Sequence, residues 1–334
     1  MGNLFLIFSM ATLIGVGATW AVRRVALRMG LVDRPGLRKI HVTPVPLLGG
    51  VALYVASVFS LLLLVEQYYV MQAVSLLVGA SAMALLGLWD DRQPLTPAVK
   101  FAVQLLITAG LVLSGVQVEL FHAPWLNVLV TGCWVLYVTN AFNLIDNMDG
   151  LATGIAAVAA AFFMLCAVLN GQVLVGSLAA AMLGACLGFL VFNFNPARIF
   201  MGDAGSLFLG FMLAALAIKL RFPGNTDRVT WMVPVLLLGI PIFDTAFVVV
   251  SRLRRGVPVW QGGKDHVSHS LAARGWSTRR VVLVLYAAAA VLGGLGVALS
   301  TLSLLPAYGV FGTVLLLALF VGLKVRGVLN VLAK

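Results

Sequence analysis

Carboxylates recur in this chain beside amides, glycines and apolar runs, a setting in which a lone acid is costly and an acid that holds a cation is not. Asp90-Asp91 follows the run Leu86-Gly87-Leu88-Trp89. At about 4 Å and an effective dielectric near ~20, two like charges repel by on the order of 4 kcal/mol, so a cation belongs nearby. Further on, Asn143, Asp146 and Asp149 fall three residues apart in the stretch 140–150, a spacing that shares one face if a helix continues through it. Asp203 lies in the polar stretch 193–206, which also holds Asn193, Asn195, Arg198, Gly202 and Gly205 and separates two apolar runs. A carboxylate at bilayer depth costs at least about 2.5–3.5 kcal/mol and faces a partner or a water-filled cavity. Oxygen donors of this kind suit a hard divalent ion, which one or two carboxylates plus substrate phosphates hold. The amides of a helix N-terminus suit phosphate oxygens. Blander readings stand beside these: Asp203 as a helix N-cap, and Asp90-Asp91 as the start of a solvated turn at Arg92-Gln93-Pro94.

His266 and His269 sit at i, i+3 in the last polar stretch and would face one way on a helix. A transition-metal site wants more nitrogen or sulfur donors than this stretch supplies, so phosphate contact fits better, with a solvated loop as the other reading. The first polar stretch, 33–50, is basic and proline-studded and offers anion contacts from Arg38, Lys39 and His41.

The elements that must position these groups are membrane helices. The 334 residues are 62% hydrophobic and 10% charged, which excludes an ordinary soluble domain. Apolar runs near the roughly 20 residues that span a hydrocarbon core recur along the whole length. They centre on residues 3 to 22, 48 to 65, 71 to 89, 97 to 115, 126 to 142, 151 to 169, 173 to 192, 204 to 220, 230 to 251, 281 to 300 and 307 to 325. The expected fold is all-α: one polytopic membrane domain, 1–334, of about 11 transmembrane helices. Arg23 and Arg24 follow the first run with no small-residue cleavage site, so it reads as a retained span. Pro234, Gly239 and Pro241 predict a bent ninth span with Asp244 beyond the bend. Cys133, Cys166 and Cys186 lie inside apolar runs and read as small core residues.

Charge sets the expected sidedness. All of the 22 Lys and Arg except Lys219, Arg221 and Arg228 fall on one side of the alternating loops, which the positive-inside rule makes cytoplasmic, with the N-terminus outside. The net charge of +11 is thereby a topology signal, and no nucleic-acid partner is needed. The acids join that side, all of the 11 except Glu66, Glu119 and Asp227, although no topology rule asks it of them. The cytoplasmic loops, about 23–47, 90–97, 143–150, 193–203 and 252–280, thus frame one active-site cleft. An ion-coupled secondary transporter is the rival, but its acids belong near the bilayer midplane.

The motifs Pro46-x-x-Gly49-Gly50, Asp90-Asp91, Asn140 to Gly150, Phe200-Met201-Gly202-Asp203-x-Gly205-Ser206, Pro241-x-x-Asp244 and Asp265-His266-x-x-His269 resemble the polyprenyl-phosphate N-acetylhexosamine-1-phosphate transferases, in order and over about residues 30 to 280. The resemblance implies transfer of a sugar 1-phosphate from a UDP-N-acetylhexosamine to an undecaprenyl or other polyprenyl phosphate, releasing UMP, with Mg2+ (or Mn2+) as cofactor, in a bacterial inner membrane. It implies Asp90, Asp91 and Asp203 as catalytic, Asp203 and Asp146 as metal ligands, and Asn143, Asp149, Asn193 and Phe200 on the nucleotide side. His266, His269, Arg38, Lys39 and His41 would meet the donor, and Lys100 the lipid phosphate. It leaves a homodimer open. The muramoyl-pentapeptide branch carries three consecutive histidines where this chain has His266-Val267-Ser268-His269, and a lysine where it has Pro94, so the resemblance favours the branch that uses UDP-N-acetylglucosamine or a related UDP-N-acetylhexosamine, which primes O-antigen, teichoic acid or other envelope glycans.

Overall fold

The computed structural model describes residues 2–33, 44–62 and 70–332, with side chains described in 3–33, 44–62 and 74–325. Arg38, Lys39 and His41 lie outside the described residues. Contacts divide the chain into two compact units, Met1–Leu220 and Arg221–Lys334.

The first unit runs α1 (Gly2–Arg28), an antiparallel pair β1 (Val32–Asp33) and β2 (Val45–Pro46), then α2 (Gly49–Leu62), α3 (Val70–Arg92), α4 (Pro97–Leu113), α5 (Pro124–Ile145), α6 (Leu151–Leu169), α7 (Val173–Asn193) and α8 (Gly202–Lys219). Helices are what such runs must form, because lipid offers the backbone no hydrogen-bond partners. α8 is the centre, buried along nearly its whole length against α2, α3, α5, α6 and α7. That is how a helix apolar on all sides is accommodated. Small residues set the packing between α1 and α7: a Cβ on Gly184 would lie 2.4 Å from the Phe8 carbonyl oxygen, and one on Gly188 2.5 Å from that of Thr12. Without a hydrophobic drive between helices in lipid, such close backbone approach is what holds them together.

The second unit comprises α9 (Asp227–Thr230), α10 (Met232–Leu237), α11 (Gly239–Arg254), α12 (Val267–Ala272), α13 (Thr278–Leu299) and α14 (Leu304–Leu332). The bent ninth span is present: Asp227–Leu237 and Gly239–Arg254 meet at 77°. Pro241 has no N–H for the Leu237 carbonyl four residues back, and its ring crowds that oxygen, so the helix parts between Leu237 and Gly239. Asn225 ties the start of the unit to the α13–α14 turn, its Nδ2 donating to the carbonyls of Ser300 (2.9 Å) and Leu302 (2.8 Å).

Among the described residues, eight helices are long and apolar enough to cross a membrane and the bent pair makes a ninth. α2 and α4, with 14 and 17 residues, are shorter apolar helices on two of the expected runs. Large apolar side chains stay exposed along α14, among them Leu315, Leu316, Leu319 and Phe320, the surface a lipid-facing helix presents.

Candidate active site

Asp203 is placed by backbone wedged between helices. The segment before α8 is stitched to the start of α2: Phe200 N–H donates to the Pro46 carbonyl (2.9 Å), Gly49 N–H to Phe200 O (2.9 Å) and Gly50 N–H to Met201 O (2.8 Å). A Cβ on Gly50 would stand 2.1 Å from Gly205 N, and one on Gly87 of α3 would stand 2.3 Å from the Asp203 carbonyl carbon. No side chain fits at either crossing, which explains the second glycine of the Pro46-x-x-Gly49-Gly50 motif and the glycine three residues before Asp90-Asp91. Asp91 completes the seat. Its Oδ1 accepts the Asp203 N–H (2.8 Å) and its Oδ2 the Ala204 N–H (3.1 Å), so it caps α8 from a different helix.

Around that seat one cation gathers the oxygens. Lys100, in the first turn of α4, bonds to Asp90 Oδ2 (2.8 Å), to Asp203 Oδ2 and to Asn143 Oδ1 (3.3 Å). Asn143 in turn donates Nδ2 to Asp203 Oδ1 (2.8 Å) and to Ser206 Oγ (2.9 Å), and Asp90 Oδ1 accepts the Leu95 N–H (2.7 Å). Lys100 is therefore the positive charge that the adjacent pair Asp90-Asp91 demands. Ser206, quoted in the sequence only as part of a motif, joins the network through Asn143.

The spacing Asn143, Asp146, Asp149 does not share a helix face. α5 ends at Ile145: Asp146 has ψ 57°, the Asn147 N–H turns back to Ile145 O (2.8 Å), and Gly150 with φ 75° carries the chain into α6. Asn143 stays on the helix and reaches Asp203. Loss of solvent, and then the charges of Asp203, Asp91 and Asp149, push the Asp146 carboxyl up to about 8. Asp149 holds the connection between α7 and α8, its Oδ2 accepting Asn195 Nδ2 (2.8 Å) and the Ala197 N–H (2.9 Å). Asn193, 3% exposed, does the same from the other side, accepting from Thr153 Oγ1 (3.0 Å) and donating to Ile199 O (3.0 Å). Phe200 is half-buried.

The second unit builds its own polar cluster. Arg252, 1% exposed, makes two parallel bonds to Asp265 (Nε–Oδ2 and Nη2–Oδ1, both 2.9 Å) and donates Nη1 to Val259 O (2.6 Å). Arg255 adds a third bond to Asp265 Oδ2 (2.7 Å). Burial raises the Asp265 carboxyl, but the hydrogen bonds and charge of Arg252 outweigh it and hold the group below its ordinary range. Next in the chain, His266 Nδ1 lies 2.7 Å from Asp244 Oδ2, and Asp244 Oδ1 accepts the Val267 N–H (2.8 Å). The rings of His266 and His269 meet edge to face at 5.9 Å, as their spacing suggests. Burial, then the charges of His266 and Lys264, push His269 down to about 4, so its imidazole is neutral at physiological pH. Sequence reasoning counts Arg252 among the topology charges and leaves Asp244 and Asp265 out of the site; the signal for the acids was their place in the last two motifs.

Among the described residues no group of three His, Cys, Asp or Glu side chains gathers as a metal cage. The donor set around Lys100 nonetheless has the chemistry of a hard-ion site: two carboxylates and an amide oxygen converge on one cation. Few protein ligands, completed by substrate phosphates, is how Mg2+ is usually held.

A family model described as glycosyl transferase family 4 matches residues 73–221. The chain is 36% identical, over 79% of its own length and 76% of the relative's, to a "Probable undecaprenyl-phosphate N-acetylglucosaminyl 1-phosphate transferase" of Bacillus subtilis. It is 33% identical, over 83% of its length and 77% of the relative's, to a decaprenyl-phosphate N-acetylglucosaminephosphotransferase of Mycobacterium tuberculosis. With an undecaprenyl-phosphate alpha-N-acetylglucosaminyl 1-phosphate transferase of Salmonella typhi the identity is 28% over 82% and 78%.

Proposed function

The chain belongs to glycosyl transferase family 4, and from that premise we propose that it transfers N-acetylglucosamine 1-phosphate from its UDP-linked form to a polyprenyl phosphate in a bacterial inner membrane, releasing UMP. The observation that carries the reading is the Lys100 ammonium bridging Asp90 and Asp203 beside the capped N-terminus of α8. Phosphoryl transfer between two anions asks a protein for positioning and charge neutralisation more than for covalent chemistry. Relatives named for this reaction support it.

In this reading Asp90 deprotonates or orients the acceptor phosphate, and Lys100 neutralises it as that phosphate displaces the ammonium's present contacts. Asp91 keeps the α8 amides in place, and Asn143 holds Asp203 at a fixed angle through its bond to Oδ1. Asp203, Asp90 and the Asn143 amide oxygen would hold Mg2+ (Mn2+ in substitution), with Asp146 as a further ligand once ionised. When bound, the ion supplies neutralisation of phosphate charge. Asp149, Asn193 and Phe200 shape the nucleotide side by fixing the chain from 193 to 201. His266 and His269 would meet the donor's phosphates, and Arg38, Lys39 and His41 would lie near the donor. The positive-inside rule puts these groups on the cytoplasmic side, with the N-terminus outside.

Purified protein incubated with polyprenyl phosphate and a panel of UDP-sugars tests this directly. UMP should appear with UDP-N-acetylglucosamine, require the lipid phosphate, and stop on addition of EDTA. No UMP from any UDP-sugar, or release indifferent to the lipid, overturns the reading.

A further inference from the structure

Asp244 is a buried acid for which the reaction as described has no use. It sits on α11, shortly past the 77° break, 3% exposed, and both of its oxygens are engaged. Oδ1 accepts the N–H of Val267, the first residue of α12, at 2.8 Å, and Oδ2 lies 2.7 Å from Nδ1 of His266, itself 3% exposed. An ionised carboxylate has only acceptors, so this contact places the imidazole hydrogen on Nδ1. The backbone bond to Val267 stops the carboxylate from turning away. Its geometry therefore dictates the ring's. On the other flank the His269 ring packs edge to face against it, 5.9 Å away and inclined at 72°, while the Ser270 N–H (3.0 Å) and Oγ (3.0 Å) both bond the His266 carbonyl and anchor its backbone.

We propose that Asp244 is a positioning residue that holds His266 in its Nδ1–H form, so that Nε2 alone is presented to the donor's phosphates. The role of the ring rests on the function proposed above; its tautomer does not. Once Nε2 takes a proton, it becomes a donor to phosphate oxygens, and the carboxylate behind it stabilises the imidazolium without itself being protonated. A carboxylate behind a catalytic histidine works in this way in hydrolytic triads. The break at Leu238 is then more than a bend in a span: it sets the angle at which α11 brings an acid up beneath α12.

Two measurements on the full chain test the proposal. The first is 15N NMR of histidine-labelled protein, in which the chain's four histidines are few enough that His266 is assigned by its loss in His266→Gln. The wild type should show hydrogen on Nδ1; hydrogen on Nε2 alone, meaning a protonated Asp244 donating to the ring, overturns the proposal. The second is kinetic. Asp244→Asn keeps an acceptor for Val267 and should lower kcat at least about 10-fold, with KM for UDP-N-acetylglucosamine within about threefold of wild type. In a His266→Gln background the same change should cost nothing further, because a residue acting through another has no effect once that other is gone. An equal loss in both backgrounds makes Asp244 a structural residue and overturns the proposal. If the wild type transfers no sugar, the function proposed above fails, while the NMR result still decides the tautomer.

Discussion

Both units bury acids against bases, yet they do so in opposite ways. In the first, one ammonium is shared among three oxygens by single contacts, and the side chains keep some exposure: 15% for Lys100, 12% for Asp90 and 32% for Asp203. In the second, a guanidinium meets Asp265 with two parallel bonds at 2% and 7% exposure and spends its remaining nitrogen on a carbonyl. A lysine is a point charge on a flexible stem, whereas an arginine is a rigid fork matched to a carboxylate. The single contacts around Lys100 can be traded for those of another cation, whereas the fork of Arg252 is locked onto Asp265 and frames the loop that carries His266.

The largest effect follows from removing the acid that both Lys100 and Asn143 hold. Asp203→Asn should reduce UMP release by about 10³-fold or more, because charge neutralisation is most of what phosphoryl transfer asks of the site. Thermal stability in detergent should change little, since the α8 cap is supplied by Asp91. Residual activity within tenfold of wild type would erase the distinction between the clusters. Next comes Arg252→Ala, which leaves Asp265 buried with Arg255 as its remaining partner. Its cost should be on the order of 3 kcal/mol of stability, read as a lowered melting temperature, and Arg252→Lys should recover little of it.

Lys100→Gln sharpens the contrast from the other side. Two acids then lack their shared cation, so the variant should lose about 10²-fold in transfer and melt earlier in EDTA. Millimolar Mg2+ should restore its melting temperature by more than it raises that of the wild type, because an ion that binds the folded form stabilises it in proportion to the logarithm of its affinity. Arg252→Ala should show no such rescue. A Lys100→Gln protein insensitive to Mg2+ would count against cation exchange at this site.

Much of this was legible in the sequence, and what was not shares one cause. Apolar runs announce the spans, and Pro234, Gly239 and Pro241 announce the break, because span length and a missing N–H are local properties. The need for a cation beside Asp90-Asp91 was legible from charge alone, but the choice of Lys100 over Arg92 depends on α4 folding back. Asp91 illustrates the limit: it caps a helix 112 residues away, and no spacing encodes that crossing. Gly50 and Gly87 are intelligible only once their nearest atoms are known to belong to the start of α8. The helical reading of Asn143, Asp146 and Asp149 failed because periodicity says nothing about where a helix stops, and α5 stops one residue before Asp146.

The smallest expected effect divides the units by pH. Asp146 is raised to about 8 from an ordinary 3.8, so the folded state binds its proton more tightly than the unfolded chain does. Its contribution to stability is fully present below about pH 4 and is lost as pH rises through about 8. His269 is lowered to about 4 from an ordinary 6.5, so the unfolded chain binds its proton more tightly. Its contribution is fully present above about pH 6.5 and is lost as pH falls towards about 4. Between about pH 6.5 and 4, acidification therefore strengthens folding through Asp146 and weakens it through His269. Melting temperatures of metal-free protein across that window should fall less steeply in His269→Gln than in the wild type, and more steeply in Asp146→Asn. With Mg2+ present the Asp146 difference should shrink, because a cation beside that carboxylate favours its charged form and brings its folded and unfolded affinities for the proton together, whereas the His269 difference should persist. Identical slopes in both variants would mean that neither group differs in proton affinity between folded and unfolded chain, and that the two clusters differ in geometry but not in electrostatics.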